Sequence, residues 1–167
     1  PSGLHQPATA GLSLWRNRMA RPVTAKFGKM KIEIGDGEDP EVFAAPCGFT
    51  SKALTLSKNL SEVSIPDCDD PDAPLWLGRD VQSLTASVTG DGVLAAESIE
   101  TWQEFFDSTD SRTVRISIEF STGTMQWVGL MHLETLNPSA ESGGRIQMSV
   151  SMQSDGEMVG TWTAATP

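Results

Sequence analysis

The sequence contains no tyrosine, only two histidines and only two cysteines among its 167 residues. Histidine is the usual general base near neutral pH, so acid–base catalysis has few candidates. His5 lies in the N-terminal segment, and His132 lies in a largely apolar stretch where a structural histidine is the commoner outcome. No G-x-S-x-G elbow and no glycine-rich phosphate loop is present. We therefore expect no catalytic residues: the protein is not an enzyme, and a small hydrolase would lack its base.

Metal-binding patterns are also scarce. Cys47 and Cys68 form no C-x-x-C pair. The acidic run DCDDPDAP, at 67–74, contains the residue type that binds calcium. An EF-hand beginning at this run needs Gly sixth and Glu twelfth, where the chain has Asp72 and Gly78. We expect a solvated acidic loop, and neither a metal ion nor a cofactor.

Long apolar runs are missing as well. No stretch approaches the roughly 20 residues that a membrane-spanning helix needs. No apolar run follows the N-terminal bases, as one would in a signal peptide. These features predict no membrane segment and reduced thiols in a cytosol.

Acidic residues are absent from the first 31 positions, which hold six of the twelve bases. The rest of the chain holds six bases and all 22 acids, a net charge of −16. We predict that residues 1–26 form an irregular basic arm that lies on the acidic body of another copy, the alternative being a flexible tail. The predicted arm contacts are Arg16, Arg18 and Arg21. The acidic body disfavours tight binding of duplex DNA, which needs clustered Lys and Arg.

The run Met19-Ala20-Arg21-Pro22 has the character of a natural beginning. The codons of Trp15 and Arg16 can spell a purine-rich ribosome-binding sequence just upstream. We hypothesise that residues 1–18 are an extension present in only some products.

Alternation of apolar and polar residues predicts β-strands through residues 27–167, which we take as one domain. The predicted strands lie near 27–34, 49–57, 81–89, 113–120, 126–136, 145–153 and 158–163. One helix is predicted over 95–108, with Ile99, Trp102 and Phe106 on its apolar face and Phe105 beside them. The fold class is therefore mainly β: an antiparallel sandwich or barrel with one packed helix.

Two of these strands, 81–89 and 145–153, have a polar face without charged residues, and the strand at 49–57 is similar. They are either ordinary exposed strands or the lining of a surface past which something charged must slide. The residues of interest are Ser83, Thr85, Ser87, Thr89, Gln147, Ser149 and Ser151.

Residues 58–80 show little regular pattern and contain three prolines, which predicts a long loop with a function of its own. Three large apolar residues at 75–77 follow four aspartates. They either plug the core of their own domain or contact another subunit, where Trp and Arg are favoured, and we prefer the second interpretation. The predicted contact residues are Leu75, Trp76, Leu77, Arg79, Asp69 and Asp70.

Four stretches of the sequence resemble a known family. They are PCGFTSKALTLSKNLSEVSIPDCDDPDAP at 46–74, WLGRDVQSLTASVTGDGVL at 76–94, ETWQEFF at 100–106 and SVSMQSDG at 149–156. The family is that of the tail tube proteins of long-tailed phages and gene transfer agents, the phage major tail proteins of the TP901-1 type. The resemblance extends from about Phe27 to Trp162.

The resemblance implies a structural virion protein, a β-sandwich with one helix that forms hexameric rings. The inner sheets of a ring join into one barrel, and stacked rings form the hollow tube that conducts DNA to the host cell. The loop at 58–80 would reach the adjacent ring, and the polar strands would line the lumen. The implied partners are further copies, the tail terminator, distal tail and tape-measure proteins, and DNA in transit. The implied location is the tail of a virion or gene transfer agent, assembled in the cytoplasm of a bacterial host.

A carbohydrate- or other ligand-binding β-sandwich module is the alternative. Such a module uses exposed aromatic rings as stacking platforms. This chain has no Tyr, and most of its five Trp residues occupy positions suited to a core.

Overall fold

The computed structural model describes residues 21–70 and 72–166. The predicted contacts of Arg16 and Arg18, and the hypothesis about residues 1–18, lie outside this part of the chain. The elements in chain order are a 3-10 turn Phe27–Lys29, β1 Met30–Gly35, β2 Phe43–Ala44, β3 Phe49–Ser64, β4 Leu77–Val93, α1 Ala96–Asp107, β5 Arg112–Phe120, β6 Gly123–Ser139, β7 Gln147–Ser154 and β8 Val159–Ala164. The prediction of a mainly β fold with one helix is confirmed for the described residues.

The strands pair antiparallel in the order β2-β1-β5-β6-β7-β4-β3, and β8 pairs with β6. The long strand β6 belongs to two sheets. Its first half, residues 123–131, pairs with β5 and β8, whereas residues 131–139 pair with β7. We call β2, β1, β5, β8 and the first half of β6 the five-strand sheet. The second half of β6 with β7, β4 and β3 is the four-strand sheet.

The core lies between these two sheets and α1. Alternate residues of β1 and β5 and of β4 and β7 point into it, as the period of a half-buried strand requires. The buried cluster consists of Ile32, Ile34, Val88, Trp102, Phe105, Val114, Ile116, Met131, Met148, Val150 and Met152. This cluster draws on both of these parts of the eight-strand sheet and on the helix, so all three share one core.

Helix α1 buries a different face from the predicted one. Trp102 and Phe105 are buried, whereas Ile99 and Phe106 are about half exposed. The Phe49 ring meets Trp102 edge to face, with ring centroids 5.8 Å apart. Buried Ser98, one turn before Trp102, accepts a 3.0 Å hydrogen bond from the Cys47 backbone N–H. The small serine and the T-shaped aromatic pair determine which face docks, and periodicity alone does not show either.

The prediction of an irregular loop over 58–80 is wrong. β3 continues to Ser64 and β4 begins at Leu77, and the two remain paired from Phe49 opposite Gly92 to Ser64 opposite Leu77. Only residues 65–76 connect them. A register shift between Asn59 and Leu60 interrupts the alternation, which explains why the sequence pattern fades there.

We expect Trp102→Ala to destabilise the subunit by about 3–5 kcal/mol, since it removes a fully buried aromatic ring from the shared core. Urea unfolding followed by circular dichroism measures the change. Phe106→Ala on the same helix is the matched control and should cost less, because Phe106 is half exposed. Equal losses for the two variants would show that the helix face is assigned incorrectly.

Candidate functional site

The predicted polar residues share one face of the four-strand sheet. The register places Thr85 opposite Ser57 and Ser87 opposite Thr55. Across β7, Thr89 lies opposite Ser151. Alternation puts all seven predicted residues, Ser83, Thr85, Ser87, Thr89, Gln147, Ser149 and Ser151, on this side, and we call it the polar face. That it lines a lumen stays a prediction.

Sequence reasoning missed part of the polar face. Asp91 pairs with Ser149, which places its carboxylate among the hydroxyls. The Oε2 atom of Glu134 accepts hydrogen bonds from Ser151 Oγ at 3.2 Å and from Gln153 Nε2 at 2.9 Å. A register shift between Leu133 and Thr135 inserts Glu134 as an extra residue, which hid the alternation of this strand.

His132 also belongs to the polar face, because it pairs with Gln153. It is exposed, and its Nε2 lies 3.4 Å from Asp155 Oδ2. The surroundings of His132 are therefore polar rather than apolar. Among the paired residues of the four strands, the polar face carries Asp80, Asp91 and Glu134 and no lysine or arginine. Its character is hydroxylic and weakly acidic.

The outer part of the β3–β4 hairpin extends beyond the core and exposes apolar side chains on its other face. Leu60 lies opposite Val81, and Leu84 lies opposite Lys58. Leu84 is 67% exposed although Val88, four residues along the same face, is fully buried. We call Leu56, Leu60, Leu77, Val81 and Leu84 the hairpin stripe. Contiguous exposed apolar residues of this kind mark an interaction surface.

The possibility that residues 75–77 plug the core of their own domain is wrong. Trp76 is 93% exposed, and Leu75 and Leu77 are each about half exposed. Asp69, Asp70 and Arg79 are exposed as well. Arg79 Nη2 lies 3.5 Å from Glu62 Oε1 across the hairpin. That these residues contact another subunit stays a prediction.

A basic groove lies where β1 begins and β5 turns into β6. Lys26, Lys29, Lys31 and Phe120 line it, and its volume is about 810 Å³. Lys29 Nζ and Lys31 Nζ lie 2.9 and 2.7 Å from the two oxygens of Glu119. These hydrogen bonds lower the pKa of Glu119 to about 2, and the bond from Lys31 has the largest effect. The Glu119 carboxylate in turn raises the pKa of Lys31. The groove thus brings together three lysines and one glutamate.

The described residues provide little else for chemistry. In 21–70 and 72–166, no three His, Cys, Asp or Glu side chains are grouped so that they could hold a metal ion. No helix in the same ranges is long and apolar enough to cross a membrane. Cys47 and Cys68 are exposed free thiols. Arg21, the one predicted arm contact that is described, is exposed.

The family model of phage tail tube proteins matches residues 24–160. The chain belongs to this family. It is a structural component of a tail tube. No curated protein matches the sequence.

Solved structures share the fold of this tail tube protein. A chain in the virion of a native gene transfer agent particle is 17% identical, with a TM-score of 0.61 over 83% of this chain and 99% of that one. The SPP1 tail tube is 10% identical, with a TM-score of 0.59 over 84% of this chain and 80% of that one. A sheath–tube complex of an extracellular contractile injection system is 11% identical, with a TM-score of 0.56 over 84% and 93%.

We expect Trp76→Ala to weaken assembly while leaving the melting temperature of the isolated subunit unchanged, because the ring is almost fully exposed in the monomer. Truncating a buried interface Trp typically costs about 2 kcal/mol or more, a rise of roughly 30-fold in the concentration needed for assembly. Sedimentation of polymers and thermal melting of the subunit measure the two effects. Phe106→Ala is the control for loss of an exposed aromatic. A lowered melting temperature would show that Trp76 supports the fold instead.

Proposed function

We propose that this tail tube protein polymerises as stacked hexameric rings into a hollow tube that conducts DNA to the host cell. The observation that carries the proposal is the four-strand sheet, which within residues 21–70 and 72–166 has two unpaired edges and a polar face without lysine or arginine. The role is structural, and we propose no catalytic step.

The edges support ring formation. β3 ends the strand order, and within the described residues 132–139 of β6 pair with β7 alone. Unpaired backbone N–H and C=O groups on long edges invite pairing with another chain. Adjacent strands of this sheet alternate in direction, so the β3 edge of one copy meets the β6 edge of the next as an antiparallel pair. Repetition of this contact around a ring leaves no open edge.

The size of such a ring fits a DNA conduit. The tail of an empty gene transfer agent particle, whose tube chain shares this fold, has six-fold symmetry. Six copies of a four-strand sheet make a barrel of 24 strands. At a spacing of about 4.8 Å and a tilt of about 40°, its backbone diameter is roughly 48 Å. Side chains narrow the lumen, and the remaining space is wider than a DNA duplex.

The polar face suits the wall of this lumen. Phosphate binding needs clustered Lys and Arg, and each neutralised phosphate adds to the affinity. Hydroxyls hold water without attracting a polyanion, and the carboxylates of Asp91 and Glu134 repel it. DNA passing such a wall breaks few ion pairs. The hairpin stripe points away from the polar face, and Trp76 lies at the tip of the hairpin. Both are available for contacts between subunits.

The proposed partners are further copies of this chain, the tail terminator, the distal tail protein and the tape-measure protein. Chains with this fold occur in a tube-terminating cap, a sheath–tube terminator and a baseplate of injection systems. We infer that assembly takes place in the cytoplasm of the bacterial host and that the protein ends in the tail of a virion or gene transfer agent particle.

Electron microscopy of the purified protein tests the proposal. Rings with six-fold symmetry, or tubes built from them, are the expected result. A monodisperse monomer that binds a glycan or another small ligand at all accessible concentrations would overturn it in favour of a binding module.

We expect the triple change Ser83→Lys, Thr85→Lys and Ser87→Lys to slow DNA delivery without unfolding the subunit. The three positions share the polar face of β4, and repeated lysines would bind phosphate in a salt-dependent manner. Ejection rates of assembled particles at two salt concentrations measure the effect. The matched control places lysines at the exposed positions Gln103, Thr109 and Ser142, outside the polar face. Ejection at the normal rate by the triple variant would show that this face does not meet DNA.

A further inference from the structure

The basic groove lies at the start of β1, and its lysines are only partly balanced within the subunit. Lys29 Nζ and Lys31 Nζ each contact an oxygen of Glu119. Lys26 is exposed and takes part in no salt bridge among the described residues. The half-buried Phe120 adds an apolar wall. The groove therefore presents the Lys26 ammonium group and an aromatic ring to a partner.

The loop that follows the other end of β1, residues 36–42, has the opposite charge and is closed by its own hydrogen bonds. It contains four acidic residues and no base, and we call it the β1–β2 loop. Asp36 Oδ1 accepts hydrogen bonds from the backbone N–H groups of Glu38 and Val42, each at 3.1 Å. Asp36 N–H donates to the Val42 carbonyl at 3.1 Å. Glu38 and Asp39 are exposed, Val42 is 63% exposed, and no salt bridge in the described part of the chain involves an acid of this loop.

The strand pairing places the groove and the β1–β2 loop at opposite ends of one strand. Met30, the first residue of β1, pairs with Ile118, whereas Ile34 near the other end pairs with Val114. The groove lies around the first pair, and the loop lies beyond the second. β1 joins β6, which contributes to the proposed barrel, through β5. Strands of a closed barrel tilt by about 35–45° from its axis, so their two ends point toward neighbouring rings.

We propose that the basic groove of one copy receives the β1–β2 loop of a second copy in the adjacent ring. This inference rests on the proposed function, because it adds a contact between stacked rings. In this contact the carboxylates of Glu38 and Asp39 face Lys26, and Val42 covers part of Phe120. The two surfaces differ, so each copy gives its loop to one neighbour and accepts the loop of another. Such a heterologous contact repeats along a stack without closing.

Charge reversal in the groove tests the contact. Lys26→Glu should raise the protein concentration needed for tube formation at least tenfold at about 0.1 M salt, because repulsion replaces attraction at every such contact of a ring. At about 1 M salt the difference from the unchanged chain should largely disappear, since the Debye length falls from about 10 Å to about 3 Å. An undiminished difference at high salt would show that Lys26 acts through packing and not through charge.

A restoring change identifies the partner of Lys26. Glu38→Lys with Asp39→Lys, added to Lys26→Glu, should return the concentration needed for tubes to near its original value. Asp69→Lys with Asp70→Lys, at exposed acids of the hairpin, changes the net charge equally and is the matched control. Equal restoration by the two pairs, or restoration by neither, would contradict a direct contact between the groove and the β1–β2 loop.

Disulfide trapping gives a second measurement that does not depend on charge. In a background of Cys47→Ser and Cys68→Ser, Glu38→Cys places a thiol on the loop and Ser121→Cys places one at the groove. Assembled tubes treated with a mild oxidant should give a ladder of linked chains on a non-reducing gel, since each copy holds one thiol of each kind. Gln103→Cys, exposed on α1, replaces Glu38→Cys in the control and should give no ladder.

Tubes that give no ladder, or equal ladders for Glu38→Cys and Gln103→Cys, would overturn the contact between groove and loop and leave the proposed function standing. A chain that forms neither rings nor tubes in the microscope would overturn the proposed function as well.

Discussion

Unsatisfied backbone hydrogen bonding at the two edges of the four-strand sheet is the constraint on which the rest of the structure depends. Within the described residues, the outer edge of β3 and residues 132–139 of β6 each leave a row of N–H and C=O groups that another chain can pair. In the ring we propose, pairing of these edges fixes which face points inward. The polar face is then the wall, and the hairpin stripe on the opposite side faces protein. Closure of such a ring accounts for the distribution of hydroxyl and apolar side chains along β3 and β4.

In the tube we propose, the residues that stabilise the subunit and those that stabilise the contacts between copies lie in different parts of the chain. The buried cluster around Trp102 and Met131 holds the two sheets together without help from a neighbour. Val88 is the last residue of β4 toward the hairpin tip that belongs to that cluster. The apolar side chains of the outer hairpin stay exposed in the single copy. In the tube we propose, burial of the hairpin stripe and Trp76 therefore contributes free energy only on assembly. Each Å² of apolar surface removed from water stabilises by about 25 cal/mol. Burial of these exposed apolar side chains between copies would therefore favour polymers once rings form.

Periodicity predicted the strands of the core, the position of the helix and the polar residues of β4 and β7, because each of these segments has one buried face. Periodicity gave wrong predictions in segments that do not have one regularly alternating buried face. The outer hairpin is exposed on both sides, so its strands past Asn59 show no regular alternation and were predicted as loop. In β6 the extra residue Glu134 shifts the pattern midway. In α1, Phe105 and Phe106 are the same residue type, and only the packing of the helix on the core buries Phe105 and leaves Phe106 half exposed.

The charges of the chain follow the same geometry as its apolar surface. Carboxylates on the polar face, at Asp80, Asp91 and Glu134, would repel a polyanion that passes along this face in the tube we propose. Carboxylates at the hairpin tip face no base in their own described subunit, whereas the basic groove keeps a surplus of cations despite Glu119. A uniform negative surface would make stacking of like subunits unfavourable by Coulomb repulsion. The lysines of the basic groove lie outside the polar face, so in the tube we propose the wall that meets DNA carries no lysine or arginine.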